Sequence, residues 1–194
     1  MRIIAGALRG RRFSAPAGQG TRPMLDRVRE ALFSILGERV IDARVLDLCA
    51  GTGSLGMEAL SRGAERAHMV ERDSRVVRIL ETNLSELGLA QEASVLCADA
   101  LAPASWRPAG LEPAWANLVF FDPPYPWLRD ARRPRVLATV EALCREELAP
   151  GGLLVLHAPA GELAASDLAA GGECRDRTYG HSSLWIVESP EEPS

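Results

Sequence analysis

The sequence predicts an α/β fold: a doubly wound, mostly parallel sheet with helices on both faces. Three observations carry this. Short apolar runs of strand length alternate with longer stretches of helical periodicity. The first of the strongly apolar runs, Val45 to Leu48, empties into the glycine turn Gly51-x-Gly53. Four acids, Asp47, Glu71, Asp99 and Asp122, close successive runs, at the edge where open α/β sheets bind ligands. A chain of 194 residues suits one domain with one substantial core. Its 47% hydrophobic and 25% charged residues are those of an ordinary globular protein.

The elements follow in order. Residues 2 to 5 and 11 to 15 read as a small β-hairpin arm around Gly10, with a flexible turn from Pro16 to Gly20. Pro23 opens a helix with an apolar stripe of Val28, Leu32, Ile35 and Leu36, ended by Gly37. After the glycine turn, Ser54 caps a helix carrying Leu55, Ala59 and Leu60 to Gly63, and Ala67 to Glu71 is a second strand. Asp73 or Ser74 caps a helix with Val76, Val77, Leu80, Leu84 and Leu87 inward, stopped by Gly88. Ala93 to Cys97 is a third strand, Pro103 to Pro113 with Trp106 a loop, and Leu118 to Phe121 a fourth strand. Pro134 starts a helix with Val136, Val140, Leu143 and Leu148 inward, which Pro150-Gly151-Gly152 ends. Leu153 to His157 is the next strand. Arg175 to Tyr179 and Leu184 to Val187 form a closing antiparallel hairpin around Gly180, and Ser189 to Ser194 is a disordered tail. The expected organisation is a basic arm over residues 1–22, one domain over 23–188, and the tail over 189–194.

The chemistry concentrates in two motifs. Asp122-Pro123-Pro124-Tyr125 ends a strand in an acid, two prolines and an aromatic. Pro124 has no N–H, which leaves the Pro123 carbonyl free to accept. Asp122 is a second acceptor and Tyr125 a flat stacking face. Two acceptors and a platform suit the planar NH₂ of a nucleobase or of a side-chain amide; a proline-rich loop with a turn acid is the plainer alternative. Upstream, Gly51 and Gly53 let the backbone pass close to a ligand, and Glu71 lies 18 residues beyond Gly53, where doubly wound folds grip a ribose diol. The third glycine of the dinucleotide fingerprint is missing, which disfavours a nicotinamide cofactor. Asp47 before the glycines suits a ligand with an ammonium group better than a pyrophosphate. Asp99-Ala100 fits an adenine amino group, or equally an N-cap for a short helix through Leu101.

This order resembles the S-adenosylmethionine-dependent methyltransferases that modify amino groups. Arg2 to Gly6, Arg9-Gly10-Arg11, Arg22-Pro23, Asp26 to Phe33, Asp47 to Gly53, Leu55-Gly56, Glu58 to Gly63 and Asp122 to Tyr125 are similar to one family in particular. It is the family of guanine-N2 methyltransferases of bacterial 16S ribosomal RNA (the RsmD family), and the likeness covers about residues 1 to 160. It implies a Rossmann-like class I methyltransferase with a seven-stranded sheet, methylating the exocyclic N2 of a guanine in small-subunit ribosomal RNA. It implies catalytic roles for Asp122, Pro123, Pro124 and Tyr125. For S-adenosylmethionine it implies Glu71 at the ribose, with Arg72 beside it, and Asp99-Ala100 at the adenine. Asp47, Ala50, Gly51, Thr52 and Gly53 fall at the methionine end, with Arg22 at its carboxylate. Where the family commonly has Thr after Arg-Pro, this chain has Met24. Other readings are a DNA adenine-N6 methyltransferase, a nicotinamide-dependent oxidoreductase, and a non-catalytic RNA-binding assembly factor.

The net charge of −4 is unevenly spread, and all 22 basic residues are arginine. Residues 1 to 22 carry five arginines and no acid; residues 129 to 135 carry four arginines against one aspartate. Basic stripes beside a base platform are the footprint of a phosphate backbone, so Arg9, Arg11, Arg12, Arg129, Arg132 and Arg133 are the expected RNA contacts. The expected partner is 16S ribosomal RNA or a small-subunit assembly intermediate. Cys49, Cys97, Cys144 and Cys174 are too widely spaced for a metal site and read as buried reduced thiols. His68, His157 and His181 stand in or beside apolar runs and receive no catalytic role. With no apolar run near the roughly 20 residues of a membrane span and no secretory signal, the expectation is a cytoplasmic, metal-free monomer.

Overall fold

The computed structural model describes residues 1–16, 24–102, 107, 113–169 and 172–190. Seven strands form: β1 (Arg44–Leu48), β2 (Arg66–Glu71), β3 (Ala93–Cys97), β4 (Ala116–Phe121), β5 (Leu148–Pro159), β6 (Glu173–Tyr179) and β7 (Ser182–Glu188). They make one sheet in the order β3-β2-β1-β4-β5-β7-β6. Neighbours from β3 to β5 pair in parallel, and β7 runs antiparallel to both β5 and β6. Alternate strand residues feed two cores, one on each face. Val45, Leu118, Phe120, Val155 and Ile186 meet α1 (Asp26–Leu36), α2 (Ser54–Ser61) and α3 (Ser74–Leu87). Leu46, Val119, Phe121, Leu154 and Val187 meet α4 (Arg133–Ala142) and α5 (Ala165–Leu168). No helix among the described residues is long and apolar enough to cross a membrane.

The mostly parallel seven-stranded sheet with its antiparallel closing hairpin follows the sequence expectation; several element details differ. On α1, Ile35 is 36% exposed, and Arg29 and Phe33 take buried places beside Val28, Leu32 and Leu36. This face carries Phe33, which packs on Phe120 of β4, and Arg29, whose buried partner is described below. Gly53, in the left-handed conformation, is the N-cap of α2, and Ser54 is simply its first residue. Leu148 is inward, but as the first residue of β5. It pairs with Ala116 across a register shift, so β5 runs through Pro150-Gly151-Gly152, which the sequence reading made the end of a helix. Pro23, the Pro16–Gly20 turn and Trp106 lie, wholly or in part, outside the described residues.

The amino-terminal arm reduces to one antiparallel bridge, Arg2 with Arg12. The Ile3 N–H donates to the Arg11 carbonyl at 2.9 Å and the Phe13 N–H to the Met1 carbonyl at 3.1 Å. Ile3 and Phe13 are buried in the α1–α3 core, so the arm shares the core of the domain. Likewise Ser189 is buried, its N–H bonded to the Gly152 carbonyl at 2.9 Å, which removes it from the expected tail. Residues 191–194 lie outside the described residues.

Glu58 on α2 holds the arm. Its carboxylate, 0% exposed, accepts the Ile4 N–H at 2.7 Å, the Ala5 N–H at 3.0 Å and the Arg62 Nε–H at 2.8 Å. Arg29, also 0% exposed, sits with Nε 3.9 Å from that carboxylate and donates through Nη2 to the Arg2 carbonyl at 2.7 Å. Burial holds the Arg29 guanidinium below its ordinary pKa, against the opposing pull of Glu58 and Asp26. Gly6, at φ +80°, then presses on α2 so closely that a Cβ there would lie 1.8 Å from the Ser61 carbonyl oxygen. Removing one partner of a buried pair leaves an uncompensated charge and costs about 3–5 kcal/mol. Glu58→Gln should therefore lose about that much stability in urea unfolding, and Arg29→Met in the same chain should recover part of it.

Candidate active site

Parallel register makes the site. Asp47 pairs with Met69 of β2 and Phe120 of β4, and Leu48 with Val70 and Phe121. One residue beyond the ladder, the Asp122 N–H reaches the Leu48 carbonyl at 3.3 Å. Glu71 and Asp122 thus flank the end of β1, where the chain turns through Cys49, Gly51 and Gly53, all at positive φ (61°, 56° and 85°). The Ala50 N–H ties the turn to the Val70 carbonyl. A Cβ on Gly51 would meet nothing within 4 Å, so its backbone faces open space and the glycine is required by conformation alone.

The acids divide the work. Glu71 braces the turn, accepting the Gly51 N–H at 3.1 Å on one oxygen and the Asp73 N–H at 2.8 Å on the other. Asp47 is 1% exposed; Oδ2 accepts the Gly56 N–H at 2.9 Å, and Oδ1 has no hydrogen-bond partner among the described residues. Desolvation pushes its carboxyl up to about 8, opposed by the Gly56 N–H and reinforced by the charges of Asp122 and Glu71. The Cys49 thiol is raised too, by burial first and then by Asp122, Glu71 and Asp47. Asp99 accepts the Leu101 N–H at 2.9 Å and lies 3.7 Å from Arg135; Ala100 is buried beside it.

At the fourth strand, Pro123 is buried, Pro124 exposed, and Tyr125 half-buried at the start of a 3-10 turn, Tyr125–Leu128. The Pro124 carbonyl caps that turn through the Trp127 N–H at 2.8 Å. No hydrogen-bond donor among the described residues engages the Pro123 carbonyl. Asp122 Oδ1 lies 2.8 Å from His157 Nδ1, and His157 Nε2 lies 3.2 Å from the Tyr125 hydroxyl. A carboxylate only accepts, so Nδ1 carries a proton, and in the neutral ring Nε2 then accepts from the hydroxyl.

Three residues that the structure ties to this region escaped the sequence reading. His157 lies one residue past Leu156, the last β5 residue paired with β4, just as Asp122 lies one past its partner Phe121, and that shared position was the available signal. Glu58 was quoted only within a motif. Asn83, fully buried on α3, bonds both backbone groups of Ser14, at 2.9 Å and 3.0 Å, and the Thr52 carbonyl at 3.2 Å. It joins the arm to the glycine turn.

The basic residues sort into two groups. The Arg9 and Arg12 side chains are exposed and bond no described residue; Arg11 donates to the Glu86 carbonyl at 3.1 Å. The second patch is paired: Arg129 with Glu162 at 2.7 Å, Arg132 with Asp130, and Arg133 with Asp167 at 3.0 Å. Its local positive charge, evident in the linear sequence, is thereby largely cancelled. Arg72 and Arg132 each hold a guanidinium over Trp127, at 5.3 and 5.4 Å from the ring centroid. Arg22 lies outside the described residues. Cys97 is exposed rather than buried, being on an edge strand.

A seven-stranded sheet in this order, with a glycine turn after β1 and an acid-Pro-Pro-aromatic motif after β4, is a Rossmann-like class I methyltransferase fold. The chain belongs to the family described as conserved hypothetical protein 95, whose model matches residues 1–188. It is 42% identical over 125 residues to ribosomal RNA small subunit methyltransferase D of Escherichia coli K12, covering 64% of this chain and 60% of that protein. The Haemophilus influenzae protein of the same name is 38% identical over 125 residues, covering 64% of each. The matched segment thus spans less than two thirds of those relatives' length. Among solved structures, the Thermus thermophilus protein TTHA0928 superposes with a TM-score of 0.72 at 32% identity, covering 97% of this chain and 99% of that one. An RNA methyltransferase from Salinibacter ruber in complex with S-adenosyl-L-homocysteine shares the fold at 19% identity, with a TM-score of 0.59 over 89% and 97% of the two chains.

Asp47 makes stability pH-dependent. Between the ordinary aspartate value of 3.8 and about 8, the unfolded chain ionises this carboxyl while the folded chain keeps it protonated. Raising pH across that window therefore removes stability. Asp47→Asn does not titrate, so its thermal midpoint should exceed that of the wild type by several degrees at pH 8, on a scale of about 2–4 °C per kcal/mol. The gap should close toward pH 4. Equal midpoints across the whole window would refute a buried, protonated Asp47.

Proposed function

We propose that the protein transfers a methyl group from S-adenosylmethionine to the exocyclic N2 of a guanine in 16S ribosomal RNA. The observation that carries the reading is the pair of free acceptors, the second oxygen of Asp122 and the Pro123 carbonyl, beside the acid-lined glycine turn. The names of the E. coli and H. influenzae relatives support the ribosomal substrate.

The residues at the turn fit the cofactor. The unpartnered Asp47 Oδ1 offers an acceptor to an ammonium, and a bound cation would draw its carboxyl into the ionised form. Glu71, held by two backbone N–H groups, keeps lone pairs for a ribose diol. Gly51 leaves the approach open. Asp99 stands at the neighbouring strand end for the adenine amino group, with Ala100 leaving room for the ring. When bound, S-adenosylmethionine supplies an electrophilic methyl group on a sulfonium.

The chain's own contribution is orientation and electrostatics. The guanine amino group is a weak nucleophile because its lone pair is delocalised into the ring. Bonds to Asp122 and the Pro123 carbonyl turn both N–H groups toward acceptors and favour a pyramidal, electron-rich nitrogen. Such preorganised acceptors stabilise the positive charge that develops on nitrogen, at about 3 kcal/mol for a well-placed group. Alignment supplies a further share through proximity. Asp122 then receives the proton, which becomes acidic only as the N–C bond forms. Tyr125 stacks on a base splayed from the RNA. Of the basic residues, Arg9, Arg11 and Arg12 are the better RNA contacts, since the cations at Arg129, Arg132 and Arg133 are already met by carboxylates.

Asp122→Ala should reduce methyl incorporation into small subunits about 10²- to 10³-fold, while RNA affinity in filter binding stays within about twofold. Mass spectrometry of 16S RNA from a deletion strain should show one guanine lacking an N2 methyl group, restored by the wild-type gene. Full restoration by the Asp122→Ala gene would exclude this acid from the reaction.

A further inference from the structure

We propose that His157 is a positioning residue for methyl transfer, fixing both ends of the Asp-Pro-Pro-Tyr motif from the neighbouring strand; this rests on the function proposed above. His157 is 5% exposed and lies on β5, one residue past the Phe121–Leu156 pair that ends the ladder with β4. A buried imidazole is costly unless both ring nitrogens are satisfied, and here both are satisfied by the motif itself. Nδ1–H donates to Asp122 Oδ1 at 2.8 Å, and Nε2 accepts from Tyr125 at 3.2 Å. The Tyr125 and His157 rings also meet edge to face, 5.5 Å between centroids. An aliphatic side chain at this site would fill the space but make neither bond.

The consequence for Asp122 is geometric. Its carboxylate can spin about the Cβ–Cγ bond, and a spinning carboxylate offers the amino group no fixed acceptor. The imidazole N–H captures Oδ1 in a charge-assisted bond and leaves Oδ2 as the oxygen for the substrate. The tautomer is set from the far side, because the Tyr125 hydroxyl donates to Nε2 and so keeps the proton on Nδ1. The stacking face and the acceptor are held in register by one ring. His157 touches no reacting atom; it acts through Asp122 and Tyr125.

Three variants separate this role from packing. His157→Asn keeps an N–H donor near the place of Nδ1, His157→Gln keeps one only near Nε2, and His157→Ala keeps neither. His157→Ala should lower kcat about 10- to 100-fold, with KM for the small subunit and calorimetric affinity for S-adenosylmethionine changed less than about twofold. His157→Asn should recover most of kcat and His157→Gln little of it. In an Asp122→Ala background, His157→Ala should cost less than in the wild type, since only the Tyr125 contact remains to be lost. Long-range ¹H–¹⁵N correlation spectra of the ligand-free wild type should show His157 with its proton on Nδ1, and the Nδ1 resonance should move in Asp122→Ala. Equal rescue by Gln and Asn, a kcat loss that tracks lost cofactor affinity, or an Nε2–H tautomer would each overturn the proposal. Wild-type methylation at another atom would instead remove the functional reading, while the tautomer measurement still decides the hydrogen-bond chain.

Discussion

Three parallel strands, β2, β1 and β4, end level with one another, and their hydrogen-bond ladders leave no freedom in which side chains come next. That register sets Glu71, Asp47 and Asp122 around the end of β1. Concentrating carboxyls there is unfavourable for the free protein. Asp47 answers by taking up a proton, its pKa driven to about 8 by desolvation and by its acidic neighbours. The site is therefore an electrostatic deficit built into the backbone, which a cationic ligand would relieve. Such a local cost of function is met by stability elsewhere.

The amino-terminal arm is anchored by side chains from α2 and α3. Two buried polar side chains, Glu58 and Asn83, take the backbone groups that a short extended segment cannot satisfy by itself. Glu58 receives Ile4 and Ala5, and Asn83 receives Ser14. Asn83 also reaches the Thr52 carbonyl, so the arm and the glycine turn share one anchor. A polymer docking on Arg9 and Arg12 would load a segment rigidly joined to the turn. Charge in the folded chain is also more selective than in the linear one: along residues 129–135 the fold supplies Glu162, Asp167 and Asp99 to arginines that stand almost unopposed in sequence.

The legible parts were those written in local periodicity. β1 to β4, the helix α3 with its Asp73 cap and Gly88 stop, and the closing hairpin at Gly180 all came from apolar spacing and turn residues. Mistakes arose where a tertiary partner overrode the pattern. Ile35 fits the stripe of α1, yet the helix faces the sheet with Phe33, packed on Phe120, and with Arg29, which lies beside the buried Glu58. Leu148 fits the stripe of α4, yet Ala116 captures it into β5.

By itself the sequence determined the order of strands and helices, the glycine turn, and the placing of an acid at the end of each of four strands. These depend on residues within a turn or a strand length of one another. Only the tertiary structure decided the partners of the buried polar groups: Glu58 with Ile4, 54 positions apart, Asn83 with Ser14, 69 apart, and His157 with Asp122, 35 apart. A buried donor must find an acceptor wherever the fold brings one, and at such separations no local pattern announces which it will be.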